Sequence, residues 1–414
     1  MSKNGDVLKS VPQPEVNIGT LGHVDNGKST LVEALTGQWT ARHSEELKRG
    51  ITIRIGYADA MFYKCEKCGR YGNSETCNQC GSPATFLRAV SFVDSPGHHS
   101  LMVTMLSGAA LMDGALLVLS ATEPCPQAQD REHLAAAEIT GINNLIIIQN
   151  KIDVVERDQI IQRYHEIQDF VKGSIADTAP IIPVSAQRSV NIDQVIEMIE
   201  KIIPTPPRDD HKPPLMPILR SFDVNKPGTP ADEIQGGVIG GSISQGIFNV
   251  DDQIEIRPGV RVERGGKILY EPLFTDIVSL YVGNHTVKKA TCGGLIGVGT
   301  LLDPSQTKAD SLVGNIIGKP GNLPPVLNDL TIDVKLFERA IGTEELLKVD
   351  KIRRNEALVL NVGTAVTAGV VNASKRDVVN VTLRRPVCAG ADTQVAVSRR
   401  IGEGWRLIGF GKVI

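Results

Sequence analysis

The sequence predicts an α/β domain with a mostly parallel, doubly wound sheet, followed by two antiparallel β-barrels. First, residues 13 to about 203 alternate short apolar strands with segments of helical periodicity, as parallel sheets covered by helices do. Second, residues 202–215 contain five prolines and form a stiff linker. Third, the chain beyond this linker changes to short strands punctuated by glycine, which is typical of barrels.

The predicted domains are residues 1–208, 209–320 and 321–414, and an insert at about residues 62–86 interrupts the first of them. Ligand loops of such α/β sheets lie at the carboxyl ends of the strands, so the residues that follow strands are the candidates for a site. Predicted strands of the first domain lie near 15–21, 89–94, 114–120, 144–149 and 180–184, and predicted helices near 28–36, 99–112, 127–140, 157–172 and 191–202.

Between the first strand and the first helix, residues 22–29 fit the pattern Gly-x-x-x-x-Gly-Lys-Ser/Thr of phosphate-binding loops. In that context backbone N–H groups and the helix dipole attract an anion. Lys28 is placed to reach the outer phosphates, and the hydroxyl of Ser29 is placed to hold Mg²⁺. The residues predicted to contact the nucleotide here are Asp25, Asn26, Gly27, Lys28, Ser29 and Thr30.

The base preference is read from Asn150-Lys151-Ile152-Asp153, which ends a buried apolar strand. The carboxylate of Asp153 can accept hydrogen bonds from both N1–H and the 2-amino group of guanine, whereas adenine offers no such pair of donors. A second strand ends in Ser185, Ala186 and Gln187, whose backbone is expected to contact the purine. The sequence therefore predicts GTP or GDP as the ligand.

Two further segments predict a response to the γ-phosphate. Asp94 and Gly97 follow a strand in the form Asp-x-x-Gly, so that Asp94 would reach Mg²⁺ through water and the Gly97 N–H would contact the γ-phosphate. Upstream, the hydroxyl and carbonyl of Thr52 could complete the metal shell. In this order the elements are typical of a GTPase whose loops around Thr52 and Gly97 change when the γ-phosphate is lost.

Four of the seven cysteines form two Cys-x-x-Cys pairs, Cys65 with Cys68 and Cys77 with Cys80. In a reducing cytosol such pairs are not expected to form disulfides. Four thiolates instead predict a closed tetrahedral zinc site with a structural role. Iron or an empty site is the alternative. The insert is expected to behave as a self-contained unit. The isolated thiols, Cys125, Cys292 and Cys388, are expected to be small buried hydrophobes.

Composition excludes two broad classes of function. Lys and Arg number 44 against 47 Asp and Glu, a net charge of −3, so no global basic field attracts nucleic acid. The first residues are polar, and no apolar run approaches the roughly 20 residues needed to cross a bilayer. A cytoplasmic protein without a membrane partner is expected.

The motifs together resemble a known family. Residues 22–28, 49–53 and 94–98 resemble those of translational GTPases of the elongation factor Tu class. More narrowly, residues 39–50, the four-cysteine insert and residues 220–228 resemble the gamma subunits of initiation factor 2 in their archaeal form, and the resemblance extends from about residue 13 to the end. It implies a GTP-dependent carrier of initiator methionyl-tRNA to the small ribosomal subunit, assembled with alpha and beta subunits.

The resemblance also implies roles for single residues. His98 would be the catalytic residue that orients the attacking water, and Asp25 and Gly50 match positions that hold a second Mg²⁺ in some members. Asn26 departs from the family because a histidine is usual there, and His99 stands where the family often has glutamate. The aminoacylated 3′ end would lie between the GTPase domain and the first barrel.

Two other functions fit parts of the sequence. An elongation-type or selenocysteine-specific aminoacyl-tRNA carrier belongs to the same superfamily, but the cysteine pairs and residues 39–50 speak against it. A metabolic GTPase subunit of a sulfate-activating enzyme would require a nucleotidyltransferase partner in place of tRNA. RNA that co-purifies with the protein would distinguish the carriers from the metabolic enzyme.

Overall fold

The computed structural model describes residues 12–40, 55–97, 102–283, 285–338, 340, 347–402 and 404–414. The first part of the chain forms a seven-stranded sheet in the order β3-β2-β4-β1-β5-β6-β7. Its strands are β1 (Val16–Leu21), β2 (Gly56–Lys64), β3 (Tyr71–Gly72), β4 (Thr85–Asp94), β5 (Gly114–Ser120), β6 (Leu145–Asn150) and β7 (Ile181–Pro183). Its helices are α1 (Lys28–Thr36), α2 (Met102–Ala109), α3 (Ala128–Thr140), α4 (Arg157–Val171) and α5 (Ile192–Ile202).

Strands β4, β1, β5, β6 and β7 run parallel, so the predicted doubly wound sheet is confirmed. The apolar strands have a core on each face, as expected for a sheet covered on both sides. Helix α2 ends at Ala109, three residues before the predicted end. Strand β2 was not predicted; it pairs antiparallel with β4 and brings residues 57–61 to the edge of the sheet.

The second part of the chain is a closed barrel of short strands. Its sheet order is β11-β16-β8-β9-β15-β12-β13, and pairing of β11 with β12 closes the ring. Its strands are β8 (Leu215–Phe222), β9 (Val238–Gly241), β10 (Phe248–Asn249), β11 (Gln253–Arg264), β12 (Lys267–Val282), β13 (His285–Val287), β14 (Lys289–Ala290), β15 (Ile296–Thr300) and β16 (Ile316–Gly318), with β10 and β14 forming a separate pair and a short helix α6 (Pro304–Thr307).

The third part is a closed six-stranded barrel in the order β17-β20-β19-β18-β21-β22. Its strands are β17 (Val326–Leu336), β18 (Ala357–Val362), β19 (Ala365–Lys375), β20 (Val378–Cys388), β21 (Gln394–Ile401) and β22 (Gly404–Val413). Two barrels after an α/β domain confirm the predicted fold class. The domain boundaries near residues 208 and 320 stay predictions, and both lie outside helices and strands.

The second barrel also packs against the α/β domain. Its residues Ala396 and Leu407 belong to the same buried cluster as Ala136 and Ala137 of α3. Within the described residues, no helix combines the length and the hydropathy needed to cross a membrane.

Candidate nucleotide-binding site

The loop between β1 and α1 has the backbone shape that its glycines permit. Gly22 and Gly27 have φ values of 128° and 88°, and Asp25 has a φ of 64°. A Cβ atom added at Gly22 would lie 2.1 Å from the carbonyl oxygen of Val118. A Cβ atom added at Gly27 would lie 2.4 Å from the side-chain nitrogen of Asn150. Both glycines are therefore needed for the loop to fit against its neighbours.

Lys28 opens α1 and is buried beneath this loop. Its ammonium nitrogen Nζ donates hydrogen bonds to the carbonyl oxygens of Gly22 at 2.9 Å and His23 at 2.7 Å. Burial lowers the pKa of Lys28 to about 8, although the nearby carboxylates of Asp94, Asp130 and Asp25 oppose the shift. A phosphate at the loop would supply the negative charge that favours the protonated lysine.

The predicted magnesium ligands Ser29 and Asp94 lie together. The Ser29 hydroxyl and the Thr40 hydroxyl each donate to Oδ2 of the buried Asp94 at 2.6 Å, and Thr20 donates to Oδ1 at 3.0 Å. Hydroxyl and carboxylate oxygens are the donors that Mg²⁺ prefers, so these residues fit the ion. Thr40 was missed in the sequence, where no motif marks it. Asp25 is exposed at the outer side of the loop.

Gly97, the glycine of the Asp-x-x-Gly motif, lies against the phosphate loop. A Cβ atom placed on it would be 2.4 Å from Nζ of Lys28 and 2.9 Å from the backbone nitrogen of Val24. Only glycine allows this close approach. The predicted residues His98, Gly50 and Thr52 lie outside the described residues, as does His99.

Asn150 joins the phosphate loop to the predicted purine-binding strand ends. Its side-chain nitrogen donates to the carbonyl oxygen of Asn26 at 2.9 Å, and its side-chain oxygen accepts from the N–H of Ala186 at 3.1 Å. Lys151 has a φ of 64°, and Asp153 follows in the 3-10 turn Ile152–Val154 with an exposed carboxylate. Ser185 and Ala186 are buried, and Gln187 is exposed beside them.

Helix α3 supports the loop from behind through side chains that sequence reasoning missed. The N–H of Gly22 donates to Nδ1 of His133 at 3.0 Å, and the N–H of His23 donates to Oδ1 of Asp130 at 3.0 Å. The side chain of Asn26 donates to the carbonyl oxygen of Val118 at 2.9 Å and to Oδ1 of Asp130 at 3.3 Å. Asn26 is thus a buried structural partner of α3.

The four cysteines of the insert lie in one cluster, with their sulfur atoms all within 4.8 Å of one another. Each pair is carried by the same kind of turn, in which the N–H of Gly69 donates to the carbonyl oxygen of Cys65 and that of Gly81 to Cys77. Both glycines have positive φ, 73° and 67°. Four thiols in one compact cluster fit a tetrahedral zinc ion. Of the isolated thiols, Cys292 and Cys388 are buried as expected, whereas Cys125 is half-buried.

The expectation that the insert is self-contained is wrong. The side-chain nitrogen of Asn73 donates to the carbonyl oxygens of Ala34 at 3.3 Å and Leu35 at 3.0 Å, in the last turn of α1. Arg70 forms an ion pair with Asp193 of α5 at 3.1 Å. The insert therefore contacts the far end of the helix whose first residue is Lys28.

Comparison with protein families identifies the class of protein that has this fold and this phosphate loop. Residues 13–205 match the Elongation factor Tu GTP binding domain, and residues 328–413 match Initiation factor eIF2 gamma, C terminal. Among solved structures, the fold is similar to a bacterial selenocysteine-specific elongation factor EF-Sec, with a TM-score of 0.73, 23% identity, and coverage of 97% of this chain and 58% of that one. The chain is a translational GTPase.

Curated relatives narrow the family. Translation initiation factor 2 subunit gamma of Archaeoglobus fulgidus is 57% identical over 98% of this chain and 96% of the relative. The same subunit of Pyrococcus furiosus is 57% identical over 96% of this chain and 97% of the relative, and that of Methanocaldococcus jannaschii is 54% identical over 98% of each. The chain belongs to the gamma subunits of translation initiation factor 2, and is thus a GTP-dependent initiation factor subunit.

Proposed function

We propose that this chain binds initiator methionyl-tRNA in its GTP state, delivers it to the small ribosomal subunit and releases it after GTP hydrolysis. Alpha and beta subunits of the same factor complete the assembly. Family membership supports this proposal over an elongation-type carrier and over a metabolic GTPase. The structural observation that carries it is a cavity between the α/β domain and the first barrel.

The cavity has a volume of about 1000 Å³, the upper end of the usual range for small-ligand sites. Consecutive residues of β2, from Tyr57 to Met61, form one wall. Strands β12 and β15 form the opposite wall, with Val278 and Ile296. This space can take an amino-acyl group and the end of a nucleotide chain.

A carboxyl group in the cavity suits an esterified amino acid. Asp59 is mostly buried, which raises the pKa of its carboxyl group. A free α-ammonium would pair with Asp59, while the apolar wall with Met61 and Val278 would take a methionyl side chain.

In the nucleotide site, we assign GTP or GDP to the residues predicted above and Mg²⁺ to Ser29 and Thr52, with Asp94 acting through water. Asp25 and Gly50 would hold a second Mg²⁺. When bound, the metal neutralises phosphate charge. His98 would orient the water that attacks the γ-phosphate. Zinc at the four cysteines would have a structural role.

The proposal is tested by filter binding of charged and uncharged initiator tRNA, with GTP and with GDP, in the presence of the alpha subunit. We expect the tightest binding for methionyl-tRNA with GTP. Asp59→Asn should weaken the binding of charged tRNA roughly tenfold and leave the binding of uncharged tRNA unchanged, because a charge-assisted hydrogen bond to the amino acid is lost. Asp169→Asn, on the exposed side of α4, is the matched control. Equal affinity of the wild-type protein for charged and uncharged tRNA with both nucleotides would contradict the carrier function.

A further inference from the structure

Helix α3 lies between the phosphate loop and the second barrel and presents buried polar side chains to both. Gln129, Asp130, Glu132 and His133 are each less than one-tenth exposed. Burying a polar group costs free energy of folding unless the group has a partner, so four such side chains on one helix indicate specific contacts with its neighbours. Three of the four face the loop, and Glu132 faces the barrel.

The contacts toward the loop fix its first residues. Nδ1 of His133 accepts from the N–H of Gly22, so the ring is neutral and carries its proton on Nε2. Burial and the charge of Lys28 keep the pKa of His133 well below its ordinary value, which preserves this acceptor. Asp130 accepts from the N–H of His23, and Gln129 accepts from the N–H of Val24 at a longer 3.4 Å. Three consecutive loop N–H groups are therefore engaged by one helix.

The contact toward the barrel holds the same helix from its other side. Oε1 of Glu132 lies 3.9 Å from the guanidinium of Arg406 on β22, and Oε2 has no hydrogen-bond partner in the part of the chain that the structure describes. Burial raises the pKa of Glu132 to about 7, and Arg406 opposes the shift. Leu407, the next residue of β22, packs in the core that contains Ala136 and Ala137 of the helix. A displacement of the barrel would therefore displace α3.

We propose that α3 is the element through which the second barrel sets the nucleotide affinity of the phosphate loop. Asp130 and His133 are positioning residues for the loop, and the Glu132–Arg406 pair holds the helix that carries them. The inference rests on the proposed nucleotide site and goes beyond it, because it assigns a role in nucleotide binding to a residue of the second barrel.

The loop contact is tested by stopped-flow release of a fluorescent GDP analogue from the full-length chain. His133→Ala should speed release roughly tenfold, because the N–H of Gly22 loses its acceptor. His133→Asn should restore a rate within about twofold of wild type, because its side-chain oxygen can replace Nδ1. Circular dichroism checks that each variant is folded. Release at the wild-type rate from His133→Ala, or failure of His133→Asn to restore the rate, would overturn the role of His133.

The barrel contact is tested by Arg406→Met in the same assay, with Arg353→Met as the matched control on an exposed loop of the same barrel. Arg406→Met should speed release severalfold, and adding Glu132→Gln to it should have little further effect, because both changes break one pair. Equal rates for Arg406→Met and Arg353→Met would overturn the coupling. A wild-type chain that binds no guanine nucleotide would instead refute the proposed nucleotide site.

Discussion

The cysteine insert and the nucleotide site are assembled in opposite ways. Four thiols of the insert come from one stretch, Cys65 to Cys80, and meet through two equivalent turns. The nucleotide site takes its residues from strand ends far apart in the chain, such as Thr20, Asp94 and Asn150. Local turns suffice for the first, whereas the second depends on the order of strands in the sheet. The two regions meet at Asn73, so their independence can be tested.

The largest expected effect is on metal binding. Cys77→Ser should lower zinc affinity on the order of a thousandfold, since loss of a direct ligand exceeds the ~10–100-fold cost of losing an outer hydrogen-bond partner. Native mass spectrometry should report one zinc per wild-type chain. Cys125→Ser, a half-buried thiol outside the cluster, is the control and should keep the metal. A wild-type protein without metal and with four reactive thiols in the insert would contradict the assignment.

The next effect concerns base recognition at the long-range site. Asp153→Asn should weaken GTP binding on the order of a hundredfold, because two charge-assisted hydrogen bonds are lost. It should improve xanthosine triphosphate binding, because the amide can donate to the 2-oxo group. Competition binding measures both nucleotides, with the exposed neighbour Asp158→Asn as the control. Unchanged discrimination between the two nucleotides would remove Asp153 from base recognition, and zinc content should not change in either variant.

A smaller effect comes from the buried lysine of the loop. The pKa of Lys28 is about 8 in the free protein, and bound phosphate should raise it. The affinity for GDP should therefore be at its maximum below pH 8. Above pH 8 it should fall by up to about tenfold per pH unit, because binding then requires proton uptake. Calorimetry at pH 8.5–9 in buffers of different ionisation enthalpy measures the number of protons taken up when GDP binds. A GDP affinity that is constant from pH 7 to 9.5 would be inconsistent with a lysine of lowered pKa.

The smallest effect tests where the two regions touch. Asn73→Ala leaves two carbonyl groups of α1 without this partner. It should lower the free energy of unfolding by about 1 kcal/mol, which corresponds to a fall in Tm of about 2–4 °C for a domain of this size. Thermal unfolding should be compared with that of Asn322→Ala, which removes an exposed amide near the boundary between the two barrels. Zinc should remain bound. Identical Tm values for the two variants would show that the insert contributes nothing to α1.

The backbone shape of the short contiguous motifs follows from the local sequence. Gly22, Gly27, Gly69 and Gly81 all have positive φ, so the sequence specifies the loop and both cysteine turns. The contacts of His133 and Asp130 join residues more than 100 positions apart, and only the sheet order brings them together. Strand β2 was missed for a related reason, because it pairs with β4 across the insert. Its residues 57–62 alternate between half-exposed and buried, but apolar side chains such as Tyr57 and Met61 lie on the half-exposed face, so the hydropathy pattern does not show the alternation.

The open edges of the sheets have a consequence for association with other chains. Among the described residues, β3 pairs only with Tyr63 and Lys64 of β2, so residues 56–62 of β2 have no strand on their outer side. This stretch is the longest open edge of the seven-stranded sheet, because β7 at the other end has only three residues and a terminal Pro183. A free edge is a template for adding a foreign strand. Residues 57–61 of β2 line the cavity opposite β12 and β15, so the first barrel shields this edge. The α/β domain should therefore resist edge-to-edge aggregation at high concentration as long as the first barrel stays in place.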